Sequence, residues 1–242
     1  MDVQDKIVLV TGGARRLGRE LTIALARAGA KVALHYRSSF KEAQETASLI
    51  RRKGGTVEIF QADLSQKSSL EKMVRAVEKK LGGISILVNN ASIFERTPFE
   101  KITEKDWEKN YRTHLLAPFW LSYLVAPGMK KRKEGKIINI ADRTVFRTYK
   151  NYLPYVVTKA AIASLTKTLA LELAPEIQVN AIAPGLLLWP EEKQELSKKR
   201  YVKNVPLRRI GSADDFVKAI LALIELDFAT GAILPLDGGI SL

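Results

Sequence analysis

Along the chain, short continuous apolar runs alternate with longer amphipathic stretches, and the pattern begins almost at once. Lys6–Val10 (KIVLV) carries adjacent apolar residues, as a parallel strand buried on both faces must. A glycine-bearing turn, Thr11–Gly18, leads into a helical pattern from Leu17 to Ala28 that Gly29 closes as a C-cap. The unit then repeats as strand Lys31–Tyr36, helix Lys41–Lys53, strand Thr56–Gln61, helix Lys67–Leu81 and strand Ile84–Val88. A long helical region from Thr103 to Lys131 contains Pro118 and Pro127, which predict a bend or break. Strand Lys136–Ala141 follows, then a helix ending near Ala174 with Pro175 beyond it, and strand Gln178–Ile182. Helix Ala213–Leu226 and strand Ala232–Leu236 complete the series.

Seven strands alternating with helices, without an internal repeat, a low-complexity tract or a linker, predict one doubly wound α/β domain over residues 1–242. Its expected core is a seven-stranded parallel sheet of the Rossmann type with helices on both faces. The longest stretch between regular elements, Leu186 to Arg209, carries amphipathic pieces and reads as a substrate lid at about 186–210 over the crevice.

Composition narrows the class. Hydrophobic residues at 46% and charged residues at 27% suit a globular domain. No apolar run is long enough to span a bilayer, so no membrane partner is expected. The first residues, MDVQDKIVLV, place acidic groups before a strand-like stretch and do not read as a signal peptide. The absence of cysteine excludes disulfides and thiolate metal sites and fits a cytoplasmic location. The two histidines, His35 and His114, lie far apart in sequence, so no metal is expected. The net charge of +13 suits either a solvated lysine-rich surface or an acidic partner, whether nucleic acid or a phosphate-bearing cofactor. The basic residues are spread over several segments and form no single tail, which argues against nucleic acid.

A strand, a glycine-rich turn and a helix N-terminus together make a cradle for a dinucleotide pyrophosphate. The residues placed there are Gly12, Arg15, Arg16, Leu17 and Gly18. Where NAD-binding folds carry a carboxylate at the end of the second strand, this chain reads His35-Tyr36-Arg37-Ser38. Arginine and serine in place of an acid suit a 2′-phosphate, so the expected cofactor is NADPH. Asp63 and Leu64 follow the third strand, where the adenine edge would lie, and Asn90, Ala91 and Ser92 follow the fourth, facing the same crevice. Tyr155 and Lys159 stand four positions apart on one helix face, where a lysine ammonium is expected to lower the tyrosine pKa and fit it for proton transfer. Asp142 ends the strand before that helix and would face its first turn. Its alternative roles are a helix cap or an ion pair with Arg143 or Arg147.

Taken together, the early Thr-Gly turn, Asn89-Asn90-Ala91, Tyr155 with Lys159, Pro184-Gly185 and the terminal Asp237-Gly238-Gly239 resemble the short-chain dehydrogenase/reductase family over nearly the whole chain. The resemblance implies an oxidoreductase in which hydride passes from a nicotinamide to an unsaturated carbon while Tyr155 supplies the proton. Lys159 would lower the tyrosine pKa and hold the nicotinamide ribose. It also implies cofactor contacts at Pro184 and Gly185 and a homotetramer. Arg16, Ser92 and Asp142 depart from the commoner residues of the family and resemble the pteridine and dihydromonapterin reductases within it. Phe94 then falls where those proteins place a phenylalanine against a pterin, and the implied substrate contacts are Arg16, Ser92, Phe94, Asp142 and Tyr155. From residue chemistry alone, Phe94 is equally a packing residue, and His114 in place of the family's asparagine equally a core histidine. The expected reaction is reduction of a dihydropterin C=N bond, and the alternative is a carbonyl reductase such as a 3-oxoacyl thioester reductase. A protein that keeps the fold without catalysis, using its basic surface, is the remaining reading, and an intact Tyr155/Lys159 pair speaks against it.

Overall fold

A computed structural model describes residues 1–189 and 195–242. Among these residues seven strands form one parallel sheet in the order β3-β2-β1-β4-β5-β6-β7. The strands are β1 (Ile7–Val10), β2 (Lys31–Tyr36), β3 (Thr56–Gln61), β4 (Ile86–Asn89), β5 (Gly135–Ile140), β6 (Ile177–Pro184) and β7 (Ile233–Leu236). The helices are α1 (Arg16–Arg27), α2 (Phe40–Arg52), α3 (Lys67–Leu81), α4 (Glu104–Tyr111), α5 (Ala117–Arg132), α6 (Leu153–Leu173), α7 (Glu195–Lys203) and α8 (Ala213–Glu225). The predicted doubly wound α/β architecture is the one observed.

Alternation along the strands explains why both sheet faces are covered. Val8 and Val10 of β1 pack with Leu21, Leu25, Ala43, Ile50, Phe216 and Ile220 from α1, α2 and α8. Leu9, between them, points the other way and joins Leu70, Val74, Leu121 and Met129 from α3 and α5. Strand order reverses between β1 and β4, and the crevice at that switch point is where an open parallel sheet of this kind receives its ligand.

The interruption expected in the long helical region is found. The helical region after residue 103 is interrupted ahead of Pro118, by a five-residue π-turn over Arg112–Leu116, and Pro127 lies inside α5. A proline has no N–H to return to the carbonyl four residues back and crowds that carbonyl. The wide π-turn takes up that misfit and places His114 on its inner side, buried. The lid expected at about 186–210 holds α7, and its part at 190–194 lies outside the described residues.

Candidate active site

The carboxyl ends of β1, β2, β4, β5 and β6 open into one cleft of about 1430 Å³. At one end the Gly-rich turn is held from below. Asn90 Nδ2 donates to Thr11 O at 2.8 Å, and Thr11 Oγ1 accepts from the backbone N–H groups of Asn90 and Ala91 at 2.9 and 3.0 Å. Gly12 has φ +65°, and a side chain at Gly18 would meet Gly12 O at 2.1 Å, so the turn closes only with glycine there. Arg16 also sits at positive φ, with its side chain exposed on the cleft. The predicted cradle residues Gly12, Arg15, Arg16, Leu17 and Gly18 are therefore brought together.

His35 and Tyr36 line the same cleft but are buried. Gly12 N donates to His35 Nδ1 at 3.0 Å, so the Nε2 of the neutral ring carries the proton and donates to Ala62 O at 3.1 Å. Burial lowers the His35 pKa to about 4. This histidine braces the turn and is not an exposed phosphate ligand. Arg37 and Ser38, by contrast, are exposed at the rim beside it, with Asp63 across from them. The Asp63 carboxyl is held below its ordinary range, mainly by the Ser65 N–H that donates to it at 2.9 Å. Leu64, Asn90, Ala91, Ser92, Pro184 and Gly185 also line the cleft, as expected. The exposed arginine and serine, with no carboxylate at the end of β2, fit a nicotinamide dinucleotide carrying a 2′-phosphate.

At the other end Tyr155, Lys159 and Asp142 meet. Tyr155 Oη donates to Asp142 Oδ2 at 2.8 Å, and Asp142 Oδ1 accepts from Thr144 N at 2.8 Å. Asp142 thus both caps the short 3₁₀ turn at 143–145 and touches the Tyr155 phenol, and among the described residues it forms no ion pair with Arg143 or Arg147. Lys159 is buried and donates to Ile140 O at 2.6 Å, and burial lowers its pKa to about 8. The expectation that this lysine lowers the Tyr155 pKa does not hold in the protein alone. Burial, then the negative charge of Asp142, then Tyr149 push the phenol well above its ordinary value. The physical reason is proximity: Asp142 is in hydrogen-bond contact, whereas the ammonium is engaged with Ile140 O and lies 5.9 Å from the tyrosine ring centroid. Tyr155 is therefore a neutral donor.

Two residues that sequence reasoning passed over complete this end. Tyr149 Oη reaches Asp142 Oδ1 at 3.5 Å, and burial and Asp142 raise its pKa. Tyr152 stacks on Phe94, with ring centroids 4.4 Å apart and planes within 5°. Phe94 is 57% exposed and so lies outside the core, and its edge contacts run to Tyr149 and Tyr155. The loops carrying these rings are tied by a bridge between Thr97 and Tyr152, where Thr97 N donates to Asn151 O at 2.7 Å. Ser92 stands at the base of the Phe94 loop, its Oγ 3.0 Å from His114 Nε2. Trp189 packs near Tyr201, with centroids 6.4 Å apart. No group of side chains among the described residues could hold a metal ion, and no helix among them is long and apolar enough to cross a membrane.

The short chain dehydrogenase family model matches residues 6–200. An uncharacterized oxidoreductase of Thermotoga maritima is 33% identical over 251 residues, with 99% of this chain and 98% of that protein covered. The 3-oxoacyl-(acyl-carrier-protein) reductase FabG of Staphylococcus epidermidis is 32% identical, covering 97% of this chain and 98% of its own. Among solved structures, the FolM alternative dihydrofolate reductase 1 of Brucella canis, complexed with NADP, superposes with a TM-score of 0.93 at 33% identity. That match covers 99% of this chain and 95% of the other. A family model matched over most of the length, together with relatives at 33% and 32% identity over nearly the whole chain, makes this chain a member of the short-chain dehydrogenase/reductase family of oxidoreductases.

Proposed function

We propose that the protein is an NADPH-dependent reductase of dihydropterins, which adds hydride to the carbon of a C=N bond and a proton to its nitrogen. The observation that carries this reading is the 2.8 Å hydrogen bond from Tyr155 Oη to Asp142. Reduction of a ketone builds negative charge on oxygen beside residue 142, where a group that only accepts hydrogen bonds gives no stabilisation. Reduction of C=N ends with a protonated nitrogen, which a carboxylate neighbour favours. A flat heteroaromatic substrate also suits the exposed Phe94 ring and the aromatic wall of Tyr149 and Tyr152 behind it. Likeness to a dihydrofolate reductase complexed with NADP supports both the substrate class and the cofactor.

When bound, NADPH supplies the hydride. This chain's own residues would do the rest: the Gly-rich turn would hold the pyrophosphate, and Arg37 and Ser38 would hold the 2′-phosphate. Arg16 and Ser92 flank the substrate, Tyr155 holds the proton to be given, and Asp142 orients Tyr155. The second reading, a carbonyl reductase of 3-oxoacyl thioesters, is favoured by the FabG relatives. Consumption of NADPH with 7,8-dihydrobiopterin or dihydromonapterin, set against acetoacetyl thioester, separates the two. Turnover of the thioester alone would sink the pterin reading.

The reading includes a homotetramer. Tyr111, Tyr123 and Val157 leave apolar surface exposed on α4, α5 and α6, while Leu226, Phe228 and Leu234 do so near α8 and β7. Two separate apolar faces suit two isologous interfaces. The cysteine-free composition fits a cytoplasmic setting. A monomeric mass by light scattering would refute the assembly.

A further inference from the structure

His114 is 1% exposed and sits on the π-turn, yet every polar atom of its ring is engaged. Ile93 N donates to His114 Nε2 at 3.1 Å, and a backbone N–H can only donate. The neutral ring must then carry its proton on Nδ1, which lies 3.1 Å from Thr158 Oγ1. Thr158 in turn donates to Pro154 O at 2.8 Å, within the first turn of α6. The imidazole edge also meets the Tyr155 ring, with centroids 5.3 Å apart at 89°. One ring therefore joins the Ser92–Phe94 backbone, one wall of the substrate slot, to the helix that carries Tyr155 and Lys159, the other wall. Burial first, and the Lys159 ammonium second, lower the His114 pKa to about 2, so the link stays in a single protonation state at working pH.

We propose that His114 is a positioning residue that fixes the width of the substrate slot, its Nε2 holding the Ile93 N–H and so setting Phe94 at a constant distance from Tyr155. The kinetic consequence rests on the pterin reading of the slot; the structural link does not. Among side chains of comparable reach, glutamine can place an acceptor where Nε2 lies, restoring the hold on Ile93. Asparagine reaches only as far as Nδ1 and restores the Thr158 side alone. A histidine that merely filled the core would show no preference for glutamine over asparagine.

The test compares the full-length protein with His114→Gln and His114→Asn. Amide hydrogen exchange at Ile93, followed by NMR, is expected to be slow in the wild type and His114→Gln and fast in His114→Asn. With 7,8-dihydrobiopterin and saturating NADPH, loss of one buried hydrogen bond at the slot is expected to raise KM about tenfold in His114→Asn and far less in His114→Gln. Imidazole ¹⁵N spectra of the wild type are expected to show the proton on Nδ1 of His114 and on Nε2 of His35, the two histidines in opposite tautomers. Fast exchange at Ile93 in the wild type, a proton on His114 Nε2, or asparagine serving as well as glutamine would overturn the proposal. If the wild type turns over no dihydropterin, the pterin reading falls by itself, while exchange at Ile93 and the tautomer still decide the role of His114.

Discussion

Replacing Tyr155 with Phe removes the only atom of that ring that can give a proton to substrate while leaving its packing against Phe94 and His114. Loss of a general acid costs on the order of 10²–10⁴-fold, so kcat of Tyr155→Phe is expected to fall by that range with NADPH binding retained, as read by stopped-flow and a fluorescence titration. Asp142→Ser discriminates between the two proposed substrates. Serine offers a hydroxyl to a developing oxyanion but cannot act as the carboxylate does towards a nitrogen. Dihydropterin turnover should therefore drop by roughly tenfold or more, the scale of one charge-assisted hydrogen bond, while ketone turnover stays level or rises. An unchanged dihydropterin rate would reduce Asp142 to a cap of the 3₁₀ turn. Tyr155, Lys159 and Asp142 were legible in the sequence because spacing on a helix and position at a strand end are local facts. The direction of the Tyr155 pKa was not. It depends on which group lies in contact, and the lysine's engagement with Ile140 O arises only when β5 and α6 pack. Tyr149 and Tyr152 were missed for a related reason: they lie on a loop without periodicity, and only the bridge to Thr97 brings them to Phe94.

At the level of elements, the β1-to-α1 turn shows how a short stretch of sequence dictates geometry. Gly18 lies so close to Gly12 O that a methyl group at Gly18 would have to displace backbone, not a flexible side chain. Asn90 Nδ2 also approaches that point, at 2.6 Å from the added carbon, so the brace from β4 would be pushed away with it. Gly18→Ala is thus expected to weaken NADPH binding at least tenfold and to destabilise the fold by about 1–3 kcal/mol, the usual scale for backbone strain in a packed region. A fluorescence titration paired with a denaturant melt checks both, and wild-type values for the two would show that the turn has slack. The strands and most helices were readable because buried parallel strands are continuous apolar runs and the helices between them are amphipathic. The π-turn was not. Proline announces that a helix must deform, but whether it breaks at the proline or widens one turn earlier depends on what the preceding turn packs against. Here that partner is α6, reached through His114 and Thr158.

At the scale of the whole molecule, both histidines are buried and neutral, and this links global stability to pH. The folded-state pKa is about 4 for His35 and about 2 for His114, each below the ordinary 6.5. The unfolded chain therefore binds more protons than the native one as pH falls below 6.5, and stability must fall with it. Each histidine contributes a slope of up to about 1.4 kcal/mol per pH unit, so the pair gives a slope of up to about 2.8 kcal/mol per pH unit below pH 6. Carboxylates held low in the folded state, such as Asp215 beside the Arg209 guanidinium, add their loss only nearer their ordinary value of 3.8, which leaves the upper window to the histidines. Urea melts at intervals from pH 7.5 to pH 4.5 are expected to show stability declining steeply below 6.5. In His114→Gln, which has no ring to titrate, the decline should be about half as steep. The two histidines also sit at opposite ends of the cleft, one beneath the cradle and one beneath the substrate slot. Protonation of His35 removes the acceptor for Gly12 N and protonation of His114 the acceptor for Ile93 N. In the folded protein His35 is thus expected to let go first, near pH 4, and His114 only at lower pH, and a flat stability profile between pH 7 and pH 4.5 would show that neither ring is held neutral by the fold.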